Sequence, residues 1–255
     1  MQTGAITQYI DVAQLTLYGF WIFFAGLIYY LHQENKREGY PLESDRSGGR
    51  IDVQGFPPIP KPKTYVLRDG RTVSVPNRAA PVAPEKARLT GRFLGAPIEP
   101  VGDPMQAGIG PGAWAERPDI VDTTEDLQPR LLPLRAVPAM RVDPQDPDPR
   151  GLPVIGADGT VGGEVVDLWV DQAEMLFRYL EVKVPGLAHT VLLPMNFARV
   201  KPHRVQVRSI LGAQFAGVPA LRNPERLTML EEEKVMAYYG AGTLYATPAR
   251  AEPLL

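Results

Sequence analysis

Between Val165 and Arg178 the chain reads VVDLWVDQAEMLFR, which places Asp167, Asp171, Glu174 and Arg178 within a short span. Period-two alternation puts Asp167, Trp169 and Asp171 on one face of a strand and Val166, Leu168 and Val170 on the other, so one face is expected to be core and the other polar. Glu174 and Arg178 follow within a turn, which lets Asp171, Glu174 and Arg178 gather at the strand end. Carboxylates held close together repel one another, which raises at least one pKa towards neutrality and lets the pair exchange protons as a unit. Arg178 works against that rise. A second acidic stretch, Asp119, Asp122, Glu125 and Asp126, lies upstream. The bland reading of both stretches is solvated charge at loops and strand ends, where most surface charge does no specific work.

Other chemistry is thinly provided. His32, His189 and His203 are scattered without metal-ligand spacing, and the absence of cysteine excludes disulfides, thiolate metal sites and a cysteine nucleophile. GIGPGAW, from Gly108 to Trp114, resembles a glycine loop superficially, but it lacks a preceding strand and a phosphate-loop lysine. No Gly-x-Ser-x-Gly elbow is present. An enzyme acting alone is therefore not expected, and neither is a metal site. The 27 lysines and arginines against 29 acids leave a net charge of -2, which offers no general attraction to nucleic acid.

The elements that must position these residues begin with an apolar run. From Leu15 to Leu31 the chain reads LTLYGFWIFFAGLIYYL without a charge, and Val12 and Ala13 extend it to the roughly 20 residues a bilayer core requires. We expect a transmembrane helix over 12–32. A signal peptide fits poorly, because no lysine or arginine precedes Leu15 and no small-residue cleavage site follows before Gln33. Asp11 precedes the run while Lys36, Arg37, Arg46 and Arg50 follow it, so the positive-inside rule puts residues 1–11 outside and the rest in the cytoplasm. Tyr29 and Tyr30 sit where amphipathic rings favour the interface.

Residues 33–63 are polar and then proline-rich, ending FPPIPKPK, and read as an extended strap along the membrane surface. Lys61 and Lys63 can meet lipid phosphate there, or the strap is simply a solvated linker. Residues 64–150 read as an irregular segment carrying one β-hairpin, TYVL and TVSV around Asp69-Gly70; beyond it, proline-rich chain would order by packing against a partner. From 151 to 255, short strands at close spacing predict a small antiparallel barrel or sandwich. A short helix opens at Glu231-Glu232-Glu233 and is expected to end at Gly240.

These features, with the strings FWIFFAGLIYYL (Phe20 to Leu31), REGYPLE (Arg37 to Glu43), GDPM (Gly102 to Met105), GLPV (Gly151 to Val154), VVDLWVD (Val165 to Asp171) and LLPM (Leu192 to Met195), resemble the H subunit of the photosynthetic reaction centre of purple bacteria. They run in order along nearly the whole chain. The resemblance implies a membrane-anchored, mainly-β fold: one N-terminal transmembrane helix, a cytoplasmic PRC-barrel-type antiparallel β domain and a short C-terminal helix. It implies a bacterial inner (intracytoplasmic) membrane, with residues 1–11 periplasmic. It further implies a non-catalytic subunit that caps the cytoplasmic face of the L and M subunits, stabilises the quinone sites and assists proton uptake to the secondary quinone. Bacteriochlorophyll, bacteriopheophytin, quinones and non-haem iron are then held by other chains, with none ligated here. Antenna polypeptides, a cytochrome subunit and membrane lipids are further candidate partners.

The family's proton-uptake carboxylates fall on Asp171 and Glu174, its nearby arginine on Arg178, and a basic position of that region on Arg130; Asp122 and Glu125 join them as proton-transfer candidates. Tyr30, Lys61 and Lys63 are the lipid-contact candidates. Some members carry surface histidines that bind inhibitory metal ions, and the corresponding stretch here, PDIVDTTEDLQPR, has none. A membrane-tethered PRC-barrel adaptor is the alternative function, and a hydrolase using Asp171 and Glu174 as an acid/base pair is a third.

Overall fold

The structure is a computed structural model, and it describes residues 11–44, 46–47, 49–77, 85–93 and 95–251. The N-terminal flank 1–10 lies outside the described residues. The chain forms two compact units, Met1–Ala83 with Phe93–Gly95, and Pro84–Arg92 with Ala96–Leu255.

In the first unit, α1 (Val12–Asn35) begins where the extended Asp11 accepts a hydrogen bond from the Gln14 N–H at 2.8 Å. Its 24 residues rise about 36 Å, enough to cross a hydrocarbon core about 30 Å thick. None of its side chains is buried, so the apolar surface from Leu15 to Leu31 stands largely uncovered by this unit. The helix passes His32 because Gln33, Glu34 and Asn35 continue the backbone ladder, and the Lys36 and Arg37 N–H groups close it on the Gln33 and Glu34 carbonyls. Farther along, β1 (Lys63–Val66) and β2 (Thr72–Val75) pair as the antiparallel hairpin that Asp69-Gly70 predicts, with Gly70 at φ 82° in the turn.

In the second unit, β3 (Ala87–Leu89) pairs with β4 (Ile98–Pro100). A seven-stranded sheet follows, built from β5 (Leu131–Pro133), β6 (Pro153–Ile155), β7 (Val161–Asp171), β8 (Leu176–Lys183), β9 (Thr190–Pro194), β10 (Ala198–Lys201) and β11 (Arg204–Val207). Its order is β10-β11-β6-β7-β8-β9, with β5 paired to β7 off that path; only the β11–β6 pair is parallel. Val154, Val165, Leu168, Leu180, Val182 and Leu193 form the centre of the core. Gly162 admits β7 to it, since a Cβ there would lie 2.2 Å from the Phe215 ring. Residues 96–150 fold back onto this sheet, with Met105, Leu131 and Leu134 joining its core.

Two sequence expectations fail here. The first is strict alternation along β7: the strand buries Asp167, Leu168, Trp169, Val170 and Asp171 together, and within VVDLWVD only Val166 turns out, at 39 % exposure. Register shifts against β8 at Val165/Asp167 and Trp169/Val170 break the period, and β5 covers the strand end. The second is the helix end. Thr228 and Glu231 form a capping box and α2 (Met229–Tyr245) runs through Gly240, because that glycine serves close packing rather than termination. A Cβ on Gly240 would lie 2.3 Å from the Pro111 carbonyl oxygen, and one on Gly242 2.5 Å from that of Ser209. The segment GIGPGAW is thus the seat on which α2 rests.

Candidate functional site

The short strand β5 is fastened to β7 at both ends by arginines that reach buried aspartates. Leu131 pairs with Asp171 and Pro133 with Trp169 in antiparallel register, so Arg130 comes to the C-terminal end of β7 and Arg135 reaches back to Asp167. Sequence separations of 41 and 32 residues collapse into direct contact.

At the first end, Asp171 is wholly buried. Its carboxylate accepts from Arg130 Nε at 2.9 and 3.1 Å, from Arg178 Nε at 3.2 Å, and from the backbone N–H groups of Ala173 and Glu174 at 3.0 Å each. The turn from Gln172 to Met175, with Met175 at φ 56°, wraps those N–H groups round the acid. Glu174 Oε1 accepts from Arg130 at 2.6 Å and from Arg178 at 3.2 Å, and its side chain is 48 % exposed. Asp122 Oδ2 lies 3.5 Å from Arg130. The loop from Asp122 to Arg130 is closed by the Arg130 N–H donating to the Asp122 carbonyl at 2.9 Å. Glu125 stands exposed on that loop and makes none of these contacts among the described residues. Asp119 belongs elsewhere, with Arg222 and the Thr228 hydroxyl at the start of α2.

The arrangement decides the balance between acid repulsion and arginine attraction that the sequence leaves open. Burial pushes the Asp171 carboxyl up, but hydrogen bonds from Arg130, from the Glu174 N–H and from Arg178 outweigh it and hold the group below the usual carboxylate range. Arg130 is held correspondingly more firmly in its charged form by Asp171. Asp171 and Glu174 are therefore not a bare repelling pair: two guanidinium groups lie between them, and an ionised, buried acid anchors a half-exposed one.

At the second end stands a cluster that the sequence reading missed. Arg135 donates to Asp167 at 2.9 Å, to Glu181 at 2.6 Å and to Glu225 at 2.8 Å. Glu181 also accepts from Trp169 Nε1 at 3.0 Å and Thr190 Oγ1 at 2.8 Å. The signal available in the sequence is Glu181 itself, a lone acid inside the apolar run YLEVKV, which demands a buried partner without naming it.

In the first unit, Lys63 is paired with Glu34 at 2.7 Å and lies 5.8 Å from the Tyr30 ring centroid. The Lys61 carbonyl accepts from Arg37, while the Lys61 side chain is exposed. Of the two lysines, only Lys61 extends clear of a carboxylate among the described residues. Among the described residues, no cluster of three or more His, Asp or Glu side chains is arranged to hold a metal ion.

Residues 4–136 match the photosynthetic reaction centre H-chain N-terminal region, and residues 145–214 match the PRC-barrel domain. The first match covers the apolar helix, the hairpin, Arg130 and β5; the second covers the sheet from β6 to β11 with Asp171, Glu174 and Arg178. With one uncovered apolar helix followed by this β domain and a C-terminal helix, the chain belongs to the photosynthetic reaction centre H-chain family, a subunit of a light-driven electron-transfer complex.

Proposed function

We propose that this chain caps the cytoplasmic face of the L and M subunits, steadies the region of the quinone sites and helps deliver protons to the secondary quinone, with no catalytic site of its own. The carrying observation is the coupling of half-exposed Glu174 to buried Asp171 through Arg130 and Arg178. Reducing a quinone to its quinol consumes two electrons and two protons, and a quinone site shielded from water needs ionisable groups or ordered waters to relay them. Glu174 takes the proton from bulk water. Asp171, kept ionised, acts as a positioning residue that fixes both arginines and supplies negative potential beneath the surface. Asp122, Glu125 and Asp126 add negative charge nearby, which raises the local proton concentration.

The charge asymmetry about α1 supports an N-terminus outside and a cytoplasmic β domain. Pigments, quinones and iron are assigned to partner chains, because three scattered histidines and no cysteine offer no array to ligate them. Tyr30 and Lys61 meet the lipid interface, with Lys63 held back by Glu34.

The test is flash kinetics on the assembled complex. Glu174→Gln should slow the proton-coupled second electron transfer to the secondary quinone and leave the first charge separation unchanged, and a small weak acid in the buffer should restore part of the rate. Proton uptake and second-electron kinetics equal to the parent from pH 6 to 9, in this variant and in the double variant with Asp171→Asn, would remove the proposed conduit.

A further inference from the structure

A cleft of about 480 Å³ lies where the β10–β11 hairpin meets the C-terminal half of α2 and the turn after it. Three arginines line it, Arg199, Arg208 and Arg250, together with Asn196, Gln206 and Thr243; among the described residues no carboxylate does. Register explains the concentration of charge. Arg199 pairs with Gln206 and Lys201 with Arg204, while Val205 and Val207 point into the core, so the outer face of the hairpin carries cations at successive outward positions. This is a locally basic surface on a chain whose net charge is -2.

The cleft also has a rigid, donor-rich floor. Arg250 donates to the backbone carbonyls of Ser209, Gly242 and Arg208, which fixes its guanidinium without neutralising it. Neither Arg199 nor Arg208 forms an ion pair with a carboxylate among the described residues. Ser209, 6 % exposed, lines the cleft as well, and its Oγ has no hydrogen-bond partner among the described residues. A buried hydroxyl without a partner is an unmet donor, and uncompensated guanidinium groups are suited to forked hydrogen bonding of a tetrahedral oxyanion. On one wall Phe197 stacks on Tyr239 at 5.7 Å, giving an apolar surface beside the cationic one. The volume exceeds that of a bare phosphate and falls within the range for small organic ligands.

We infer that this cleft binds a phosphate ester, the phosphate held by Arg199 and Arg208 over the fixed Arg250 and the organic group set against Phe197. The ester can be a soluble metabolite or a phospholipid headgroup, which share the recognised chemistry. The site lies apart from the Arg130 and Arg135 clusters and does not depend on the proton-uptake reading.

Phenyl phosphate and inorganic phosphate are titrated calorimetrically into the full-length chain in zwitterionic detergent at constant ionic strength. Saturable one-to-one binding is expected, tighter for the ester and weakened at least tenfold by Arg199→Gln with Arg208→Gln; if that double variant does not fold, Arg199→Gln alone should weaken it at least threefold. Nanodiscs separate the sources: displacement of phenyl phosphate by phosphatidylglycerol but not phosphatidylcholine identifies a headgroup site, and retention identifies a soluble ester. Binding that fails to saturate, that chloride displaces equally, or that survives the substitutions overturns the inference.

Discussion

Replacing Asp171 by asparagine keeps the size of the side chain and one acceptor oxygen while removing the charge. The backbone N–H groups of Ala173 and Glu174, both on Oδ1, keep their acceptor. What is lost is the ionic part of the contacts to Arg130 and Arg178. A hydrogen bond to a charged group contributes about 1.5–3 kcal/mol against about 1 kcal/mol for a neutral one, so each arginine loses on the order of 1 kcal/mol. The amide NH2 set against a guanidinium adds to this. Because the arginine side chains are 26 % and 39 % exposed, water offsets part of the loss, and we expect about 2–3 kcal/mol rather than the 3–5 kcal/mol typical of breaking a fully buried pair. The pH dependence has a definite sign. Asp171 titrates lower in the folded chain than its unfolded value of about 3.9, so its stabilisation is complete above about pH 5 and is lost as pH falls through the folded pKa. Denaturant unfolding of the full-length chain in detergent, followed by fluorescence of the buried Trp169, should show a gap between parent and variant that is flat from pH 8 to 5 and closes below about pH 4. A gap under about 0.5 kcal/mol at pH 7, or one unchanged at pH 3, would refute the assignment of Asp171 as an ionised anchor.

Arg135→Met should cost roughly 3–5 kcal/mol at neutral pH, because Asp167 and Glu181, 7 % and 6 % exposed, lose their shared cation; Arg135→Lys should recover only part of it for want of a forked donor, as thermal unfolding will show. Gly240→Ala should destabilise by about 1–3 kcal/mol in the same assay, opposite in sign to the gain of about 1 kcal/mol that helix propensity alone predicts, since the new Cβ meets the Pro111 carbonyl. Leu27→Arg should raise the insertion free energy of α1 by about 2.5–3.5 kcal/mol and reduce the membrane-integrated fraction in carbonate extraction; an unchanged fraction would count against a spanning role.

The elements legible in the sequence are those specified by local physics. An uncharged run the length of a bilayer core can only be α1, and the Asp69-Gly70 turn between alternating residues can only be a hairpin, because each depends on neighbours within a few positions. Asp171, Glu174 and Arg178 were likewise visible as a group, since one turn joins them. Tertiary structure decided the rest. The pairing of β5 with β7 brings Arg130 to Asp171 and Arg135 to Asp167, and it tips the balance that Arg178 alone left open toward an arginine-bridged acid pair with a depressed Asp171. Glu181, passed over in the sequence reading, is an acid in a strand that demands a partner, yet nothing in the chain points to Arg135 and Glu225 as its companions, because a long-range contact leaves no periodicity. The same holds for Gly240, which reads as a helix stop in isolation and becomes a close-packing position once Pro111 lies against it. Local sequence specifies backbone preference and which groups need partners; the register between distant strands specifies which partners they find, and with them the sign of the electrostatics at the site.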